Sequence, residues 1–301
     1  MRTIIIASVT ILITSFFNIV TGQGNLPVQV IEEGAELVKL AGEFAFTEGP
    51  TSDSKGNVYF TDQPNDRILK WSTSGELSTF LQPCGRSNGM FFDSKGFLWS
   101  CAEARNEILK ISPDKSIEVV VGKYNNAVFN GPNDVWVAPD GSIFFTDPFF
   151  LRDFWDHTER PQDKQCVYYL SADRKTLKRV EESLITPNGI IGTRDGKTLF
   201  IADMGGRKTY TFNINPDGSL SDKKIFCDMG SDGITLDSDG NLYLTGRGVT
   251  VFNKNGEMLG NIPIPERWTA NVCFGGKERN ILFITASTGL YSIRMKVKGL
   301  Y

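Results

Sequence analysis

The chain has 301 residues, of which 40% are hydrophobic and 22% are charged, and its formal net charge at pH 7 is -3. These values are ordinary for a soluble globular protein, and they lack the excess positive charge of a nucleic-acid-binding domain. We therefore expect no nucleic-acid partner.

The N-terminus has the layout of a secretory signal peptide. Met1 and Arg2 precede an apolar run over residues 3–20, and residues 20–22, V-T-G, form a small-residue cleavage site. An uncleaved anchor helix is the alternative, which the shortness of the run and its Ser and Thr residues disfavour. No later apolar segment is long enough to cross a bilayer. We expect residues 1–22 to be removed, residues 23–301 to form one domain, and the protein to be secreted or periplasmic.

The cysteines do not form a recognisable framework. They are odd in number and scattered over the chain, at Cys84, Cys101, Cys166, Cys227 and Cys273. Secretion permits disulfides, but a chain of this size does not depend on them. We expect most of the cysteines to be buried thiols, and the sequence leaves any pairing open.

A unit of strand, tight turn and strand recurs along the chain, most clearly over residues 130–148, NGPNDVWVAPDGSIFFTDP. A polar residue opens each of six copies: Glu48, Asn88, Asn133, Asn188, Asp232 and Asn271. The openers are separated by 39 to 55 residues, near the period of a four-stranded propeller blade. The turn segments D-S-K-G, P-D-G, R-D-G and D-S-D-G recur because a tight turn needs a residue that tolerates positive φ.

The two ends of the repeat array complement each other. Residues 28–45 alternate apolar and polar side chains and hold one or two strands, whereas the last unit offers only three, around Val272, residues 281–285 and residues 290–294. We expect an N-terminal strand to complete the last blade and close the ring. The sequence thus predicts an all-β fold, a six-bladed β-propeller with four-stranded antiparallel blades.

The longest insertion, residues 149–165, falls in blade three and is rich in aromatic residues. A loop of this length is uncommon as a mere connection, so we expect it to lie over one mouth of the propeller. Its Trp155 could stack on a sugar ring. Its His157 is the only histidine of the chain, and a solvated loop position is a commoner explanation for it than a role in proton transfer.

The openers begin innermost strands, so they should form a ring at one mouth. All six carry a side-chain oxygen, and two are carboxylates, which suits a hard divalent cation, Ca²⁺ or Mg²⁺ before Zn²⁺. Ca²⁺ tolerates irregular geometry best and is the expected ion. Alternatively, Asn or Asp before Gly caps a turn locally, although a turn gains little from Glu48.

Further aspartates stand beside these positions. Asp134 follows Asn133 directly and is either a second ligand or a backbone cap. Asp62, Asp147 and Asp203 recur at the ends of second strands, which suggests a structural role in every blade.

Several motifs, in order, resemble one known family. They are F-T-E-G-P at 46–50, P-N-D-V at 132–135, T-D-P-F-F at 146–150, W-D-H at 155–157, V-Y-Y-L-S-A-D at 167–173, T-P-N-G-I at 186–190 and S-D-G-I at 231–234. From about Phe46 to Tyr291 the chain resembles the gluconolactonase branch of the SMP-30, gluconolactonase and luciferin-regenerating-enzyme family. The resemblance implies a six-bladed propeller with one divalent cation in its central channel. It also implies an enzyme that hydrolyses sugar lactones.

Carried over residue by residue, the resemblance implies metal binding by Glu48, Asn133, Asn188 and Asp232. Asp232 is either the base that activates water or a ligand only.

Outside the metal set, Asn88 and Asn271 either bind substrate hydroxyls or line the channel. The regucalcin relatives carry a substrate-holding arginine where this chain has Gly131, so that contact is not expected here.

The leading hypothesis is a metal-dependent lactonase acting on a small sugar lactone, with Ca²⁺ as the expected cofactor, Mg²⁺, Mn²⁺ or Zn²⁺ as alternatives, and a monomer or weak dimer as the assembly. An esterase or phosphotriester hydrolase is the rival enzyme, because the same scaffold and cation can polarise a phosphoryl oxygen. A binding propeller with a purely structural cation is the non-enzymatic alternative.

Overall fold

The computed structural model describes residues 25–301, which form 26 β-strands and one 3₁₀ turn at Gln63–Asn65. The predicted leader, residues 1–22, lies outside the described residues. Within the described part, no helix has the length and apolar character that crossing a membrane requires.

Six four-stranded antiparallel sheets make up the propeller, as the sequence predicted. The N-terminal strand is β1 (Val38–Ala41). Blade one consists of β2 (Thr47–Ser52), β3 (Val58–Asp62), β4 (Arg67–Trp71) and β5 (Leu77–Leu81). Blade two consists of β6 (Ser87–Phe92), β7 (Leu98–Ala102), β8 (Glu107–Ile111) and β9 (Ile117–Val121).

A short hairpin of β10 (Lys123–Tyr124) and β11 (Ala127–Val128) precedes blade three. Blade three consists of β12 (Val135–Val137), β13 (Ile143–Asp147), β14 (Cys166–Leu170) and β15 (Leu177–Glu181). Blade four consists of β16 (Pro187–Gly192), β17 (Thr198–Asp203), β18 (Lys208–Ile214) and β19 (Leu220–Cys227).

The last two blades complete the circle. Blade five consists of β20 (Ile234–Leu236), β21 (Leu242–Gly246), β22 (Gly248–Phe252) and β23 (Met258–Ile262). Blade six consists of β24 (Thr269–Gly275), β25 (Ile281–Ala286), β26 (Gly289–Arg294) and β1. The first strand of each blade contacts the first strands of both neighbours, so these six strands surround the central channel.

The ring is closed by the N-terminal strand, as predicted. β1 pairs antiparallel with β26, with Val38 opposite Ser292, and forms the outer edge of blade six. A single blade therefore contains the first and the last strand of the described chain, which ties the first blade to the last.

The recurring turns are tied to the strands that follow them. Gly56 and Gly240 adopt the positive φ that the sequence predicted, 84° and 83°. The turn aspartate adds a second constraint, because Asp237 Oδ2 accepts hydrogen bonds from Asn241 Nδ2 at 2.7 Å and from Tyr243 OH at 2.9 Å. The turn is thus stabilised by an aspartate carboxylate as well as by a glycine.

The aspartates that end second strands have a structural role in three blades. Asp62, Asp147 and Asp203 each accept hydrogen bonds from two backbone N–H groups of the segment that leads into the inner strand of the same blade. The expectation of such a role in every blade is wrong, because blades two, five and six carry a residue without a carboxylate there, namely Ala102, Gly246 and Ala286. The five cysteines are all free and buried thiols, as expected for most of them.

The packing of blade three on blade four leaves no room for a side chain at Gly192. Trp136 is completely buried, and a Cβ at Gly192 would lie 2.3 Å from its ring. The Tyr301 hydroxyl bridges the two residues, because it donates to Gly192 O at 2.7 Å and accepts from Trp136 Nε1 at 3.1 Å.

We predict that Gly192→Ala lowers the free energy of unfolding by about 1–3 kcal/mol, because the added methyl group overpacks this interface. Thermal denaturation followed by circular dichroism measures the effect as a melting temperature lower by several degrees. Gly42→Ala is the control, since its Cβ meets first the flexible end of Lys39, at 3.0 Å. Equal melting temperatures for the two variants would contradict the prediction.

Candidate active site at the channel mouth

The structure brings the six opening residues together at one mouth of the channel. All are buried, with exposed fractions of 5% for Glu48, 1% for Asn88, 3% for Asn133, 1% for Asn188, 8% for Asp232 and 6% for Asn271. Neighbouring blades make direct contact here, since Asn188 Nδ2 donates to Asp232 Oδ1 at 2.9 Å.

The glycine that follows an opener is required by the next blade. In four blades the position after the opener is a glycine whose added Cβ would clash with the opening segment of the following blade. The nearest atoms are Asn88 O at 2.1 Å from Gly49, Asp134 Oδ1 at 2.0 Å from Gly89, Asp232 O at 2.8 Å from Gly189, and the Asn271 side chain at 2.1 Å from Gly233. A glycine therefore follows these openers because neighbouring blades approach closely there, and not because of a local turn.

Asp134 stands where four other blades carry this glycine, and its carboxylate reaches across the channel. Asn271 Nδ2, from blade six, donates to Asp134 Oδ1 and Oδ2 at 3.2 and 3.3 Å. The remaining amide oxygen of Asn271 accepts from Val272 N at 2.8 Å. Asp134 is thus no backbone cap, and its pair with Asn271 spans the channel.

Beyond this pair, the channel continues as a cavity of about 60 Å³ that reaches Tyr301. A volume of this size accommodates a few water molecules and no sugar. A substrate must therefore approach from the mouth that the ring of openers lines.

Asp232 is held by two side chains. Asn188 donates to its Oδ1, and Trp268 Nε1 donates to its Oδ2 at 2.6 Å. Burial raises the pKa of Asp232 to about 6, although the hydrogen bonds from Trp268 and Asn188 and the charge of Arg152 oppose the rise. Trp268 was not anticipated from the sequence, because it precedes β24 outside any repeated motif.

Glu48 and Asp134 add two more buried carboxyls to the mouth. Burial, followed by the charges of Asp232 and Asp134, raises the pKa of Glu48 well above its usual range. Burial and the charge of Asp232 do the same for the pKa of Asp134. Three acids so placed are costly to ionise together unless a cation lies near them.

The residues implied as metal ligands suit a hard cation. Asn188 is 1% exposed, and its Oδ1 has no hydrogen-bond partner among the described residues, so it remains available as an oxygen ligand. Asn133 is positioned by its backbone, whose N–H donates to Thr146 O at 2.9 Å and whose carbonyl accepts from Gly89 N at 2.8 Å.

Within residues 25–301, no three His, Cys, Asp or Glu side chains are arranged as a metal centre by themselves. The two amides would have to complete a set begun by the carboxylates of Glu48 and Asp232. This donor set fits a cation that prefers oxygen ligands.

The insertion of blade three, residues 149–165, reaches blade two at the mouth, and we name it the blade-three loop. Arg152 forms a bidentate ion pair with Glu103, and Trp155 Nε1 donates to Glu103 O at 2.7 Å. Glu103 is 1% exposed and follows the last residue of β7. Sequence reasoning missed both charged residues, although Ala102 replaces the strand-ending aspartate of three other blades and a carboxylate, Glu103, follows it, which was an available signal.

The two loop residues singled out in the sequence pack against each other. The ring of Trp155 stacks on His157 at a centroid distance of 5.0 Å and on Phe149 at 5.8 Å. His157 Nδ1 lies 3.3 Å from Asp156 Oδ1. A Cβ at Gly131 would lie 3.0 Å from the Trp155 ring, which explains why a large side chain is excluded there while the loop is in place.

Comparison with known proteins agrees with this architecture. The model of the SMP-30/gluconolactonase/LRE-like region matches residues 46–288. The gluconolactonase of Zymomonas mobilis is 28% identical over 301 aligned residues, covering 90% of this chain and 84% of that protein. The lactonase drp35 of Staphylococcus saprophyticus is 33% identical over 228 residues, covering 70% of this chain and 64% of that protein.

A solved structure, that of a gluconolactonase from Xanthomonas campestris, superposes with a TM-score of 0.83 at 28% identity and covers 91% of this chain and 94% of that one. The family match extends over most of the chain and includes all six openers. The chain belongs to the SMP-30/gluconolactonase/LRE-like family.

Proposed function

We propose that this protein is a metal-dependent lactonase that opens a sugar lactone to the corresponding aldonic acid. The observation that carries the proposal is the pair of buried carboxylates, Glu48 and Asp232, beside an Asn188 amide oxygen that no described residue engages. The similarity to proteins named gluconolactonase and lactonase supports the reaction type.

Glu48, Asn133, Asn188 and Asp232 would hold the cation. Oxygen ligands with two negative charges suit Ca²⁺, which tolerates irregular coordination, ahead of Mg²⁺, Mn²⁺ or Zn²⁺. Such an ion supplies polarisation of a carbonyl oxygen and acidification of water. The surrounding protein excludes bulk water, which strengthens these electrostatic effects.

Asp232 is the proposed base for the attacking water. Its pKa of about 6 leaves the carboxylate ionised at neutral pH, where it can accept a proton. The hydrogen bonds from Asn188 and Trp268 fix the orientation of both carboxylate oxygens. Alternatively, Asp232 acts only as a metal ligand, and the variants described below distinguish the two roles.

Three residues are proposed as substrate contacts, and their present partners differ. Asn88 keeps a buried Oδ1 without a partner among the described residues, so it is best placed to receive a hydroxyl group. The amide of Asn271 is already engaged by Asp134, and the ring of Trp155 already stacks on His157.

A secreted or periplasmic location and a monomer or weak dimer complete the proposal. The location depends on the leader over residues 1–22, which lies outside the described residues. The intact mass of the exported protein distinguishes cleavage from an uncleaved anchor.

We predict that protein stripped of metal is inactive and that added Ca²⁺ restores hydrolysis of D-glucono-1,5-lactone. Acid release followed with a pH indicator measures the rate, and Mg²⁺, Mn²⁺ and Zn²⁺ in parallel rank the cations. Folded protein that hydrolyses no aldonolactone with any cation would contradict the proposal. Aryl esters and phosphotriesters then test the rival enzyme, and inactivity on these as well leaves the binding propeller.

We predict that Asp232→Asn, at Ca²⁺ concentrations that saturate the variant, lowers kcat by about 100-fold or more, because the amide still offers an oxygen ligand but cannot accept the proton from water. Glu48→Gln should instead weaken cation binding, which calorimetric titration with Ca²⁺ measures. Asp239→Asn, an exposed change in the same blade, is the control for both. Loss of cation binding in Asp232→Asn would favour the role as ligand alone.

We predict that Ca²⁺ stabilises the protein more at pH 7 than at pH 5. The pKa of Asp232 rises from 3.8 to about 6 on folding, so its contribution to stability is fully present below pH 3.8 and is lost as the pH rises through 6. The loss amounts to about 3 kcal/mol for two pKa units. A bound cation offsets it, because the ion stabilises the ionised carboxylate.

The measurement is the melting temperature of metal-free and Ca²⁺-saturated protein at pH values from 5 to 7.5. The difference between the two forms should grow with pH, and it should grow less in Asp232→Asn. A Ca²⁺ effect that is constant over this range would show that the carboxyls of the mouth do not bind the ion.

A further inference from the structure

Glu103 joins three separate parts of the fold at the blade-two side of the mouth. Its Oε1 accepts from Asn88 Nδ2 at 2.8 Å and from Arg152 Nη2 at 2.7 Å. Its Oε2 accepts from Gln63 Nε2 at 2.7 Å and from Arg152 Nε. Blade one, blade two and the blade-three loop therefore meet on a single carboxylate that is 1% exposed.

Both oxygens of the Glu103 carboxylate are fully hydrogen-bonded, whereas Asn88 and Arg152 each keep one polar atom without a partner within residues 25–301. Asn88 uses its amide nitrogen on Glu103, which leaves Oδ1 buried and without a partner among the described residues. Arg152 uses Nε and Nη2 on Glu103, and its Nη1 donates to no described residue, while the side chain is 25% exposed. An acceptor and a donor are thus fixed by the same residue and remain free.

Asn88 Oδ1 and Arg152 Nη1, both unpaired among the described residues, lie on the same side of the mouth as the carboxylates of Glu48 and Asp232. Asn88 belongs to the ring of openers, and Gly49, which follows Glu48, is packed against its backbone. Arg152 lies close enough for its charge to act on both Glu48 and Asp232. A lactone bound at the cation that Glu48 and Asp232 would hold therefore has Asn88 and Arg152 as neighbours for its ring substituents.

We propose that Glu103 is a positioning residue that holds Asn88 and Arg152 as a hydroxyl-binding subsite, through which the protein selects hydroxylated lactones over lactones with a bare ring. A hydroxyl group both donates and accepts, so an amide oxygen next to a guanidinium N–H matches it. Fixed polar groups of this kind discriminate strongly, because a substrate without the hydroxyl leaves them unpaired. The inference rests on the proposed lactonase function.

A purely structural role for Glu103 predicts something different. If the ion pair with Arg152 only held the loop in place, its loss would affect all lactones alike. The test must therefore compare two lactones that share the ring and differ in hydroxyl groups.

The experiment measures kcat/KM for D-glucono-1,5-lactone and for δ-valerolactone with Ca²⁺-loaded enzyme. In Glu103→Gln, the ratio of the two values should fall by about 10- to 100-fold, mainly through a higher KM for the hydroxylated lactone. Arg105→Gln removes an exposed arginine two positions away and should leave the ratio unchanged. A ratio that stays constant in Glu103→Gln overturns the proposal and leaves the loop-holding role.

Circular dichroism and melting temperature first establish that Glu103→Gln folds. Should it not fold, Asn88→Ala takes its place, because it removes the free acceptor directly, and the same fall in the ratio is expected.

A wild type that hydrolyses neither of these lactones, nor any other aldonolactone with any cation, refutes the proposed function alone. The subsite is then tested by calorimetric binding of gluconate and 5-hydroxypentanoate, which share a carboxylate and differ in hydroxyl groups. Preference for gluconate in the wild type and its loss in Glu103→Gln support the subsite, and equal binding of the two acids overturns it.

Discussion

At the channel mouth, each inner strand approaches the next so closely that four of the six blades have no room for a Cβ after the opening residue. Gly89 shows the contact at its tightest, with Asp134 Oδ1 2.0 Å from the position of that atom. Because the strands are this close, six side chains from distant parts of the chain share a narrow ring. Every further property of the mouth depends on that crowding.

Crowding brings carboxylates together in a place that water reaches poorly. Burial and mutual repulsion raise the pKa values of Glu48 and Asp134, and Asp232 remains near 6 only because Trp268, Asn188 and Arg152 favour its charged form. Ionising these carboxyls together at one point of the channel is therefore costly. Protons or a divalent cation offset the cost, and this links the proposed cofactor to the stability of the fold.

Much of the fold was predictable because a propeller repeats its local pattern. The interval between openers, the glycine turns and the missing strand of the last unit predicted six blades and the position of β1. The structural role of Asp62 was also predictable, but the expectation that every blade has an equivalent aspartate was wrong. In blade two, Ala102 replaces this aspartate, and the next residue, Glu103, binds Asn88 and Arg152 instead of the backbone.

For the candidate site, the sequence by itself determined which six residues gather at the mouth, since equivalent positions of a cyclic repeat must meet in space. It did not determine their partners. Trp268 on Asp232, Asn271 on Asp134 and Arg152 on Glu103 each join residues at least 36 positions apart that no repeat relates. Only the tertiary structure decided these contacts, because they depend on how a unique loop and the opposite walls of the channel face one another.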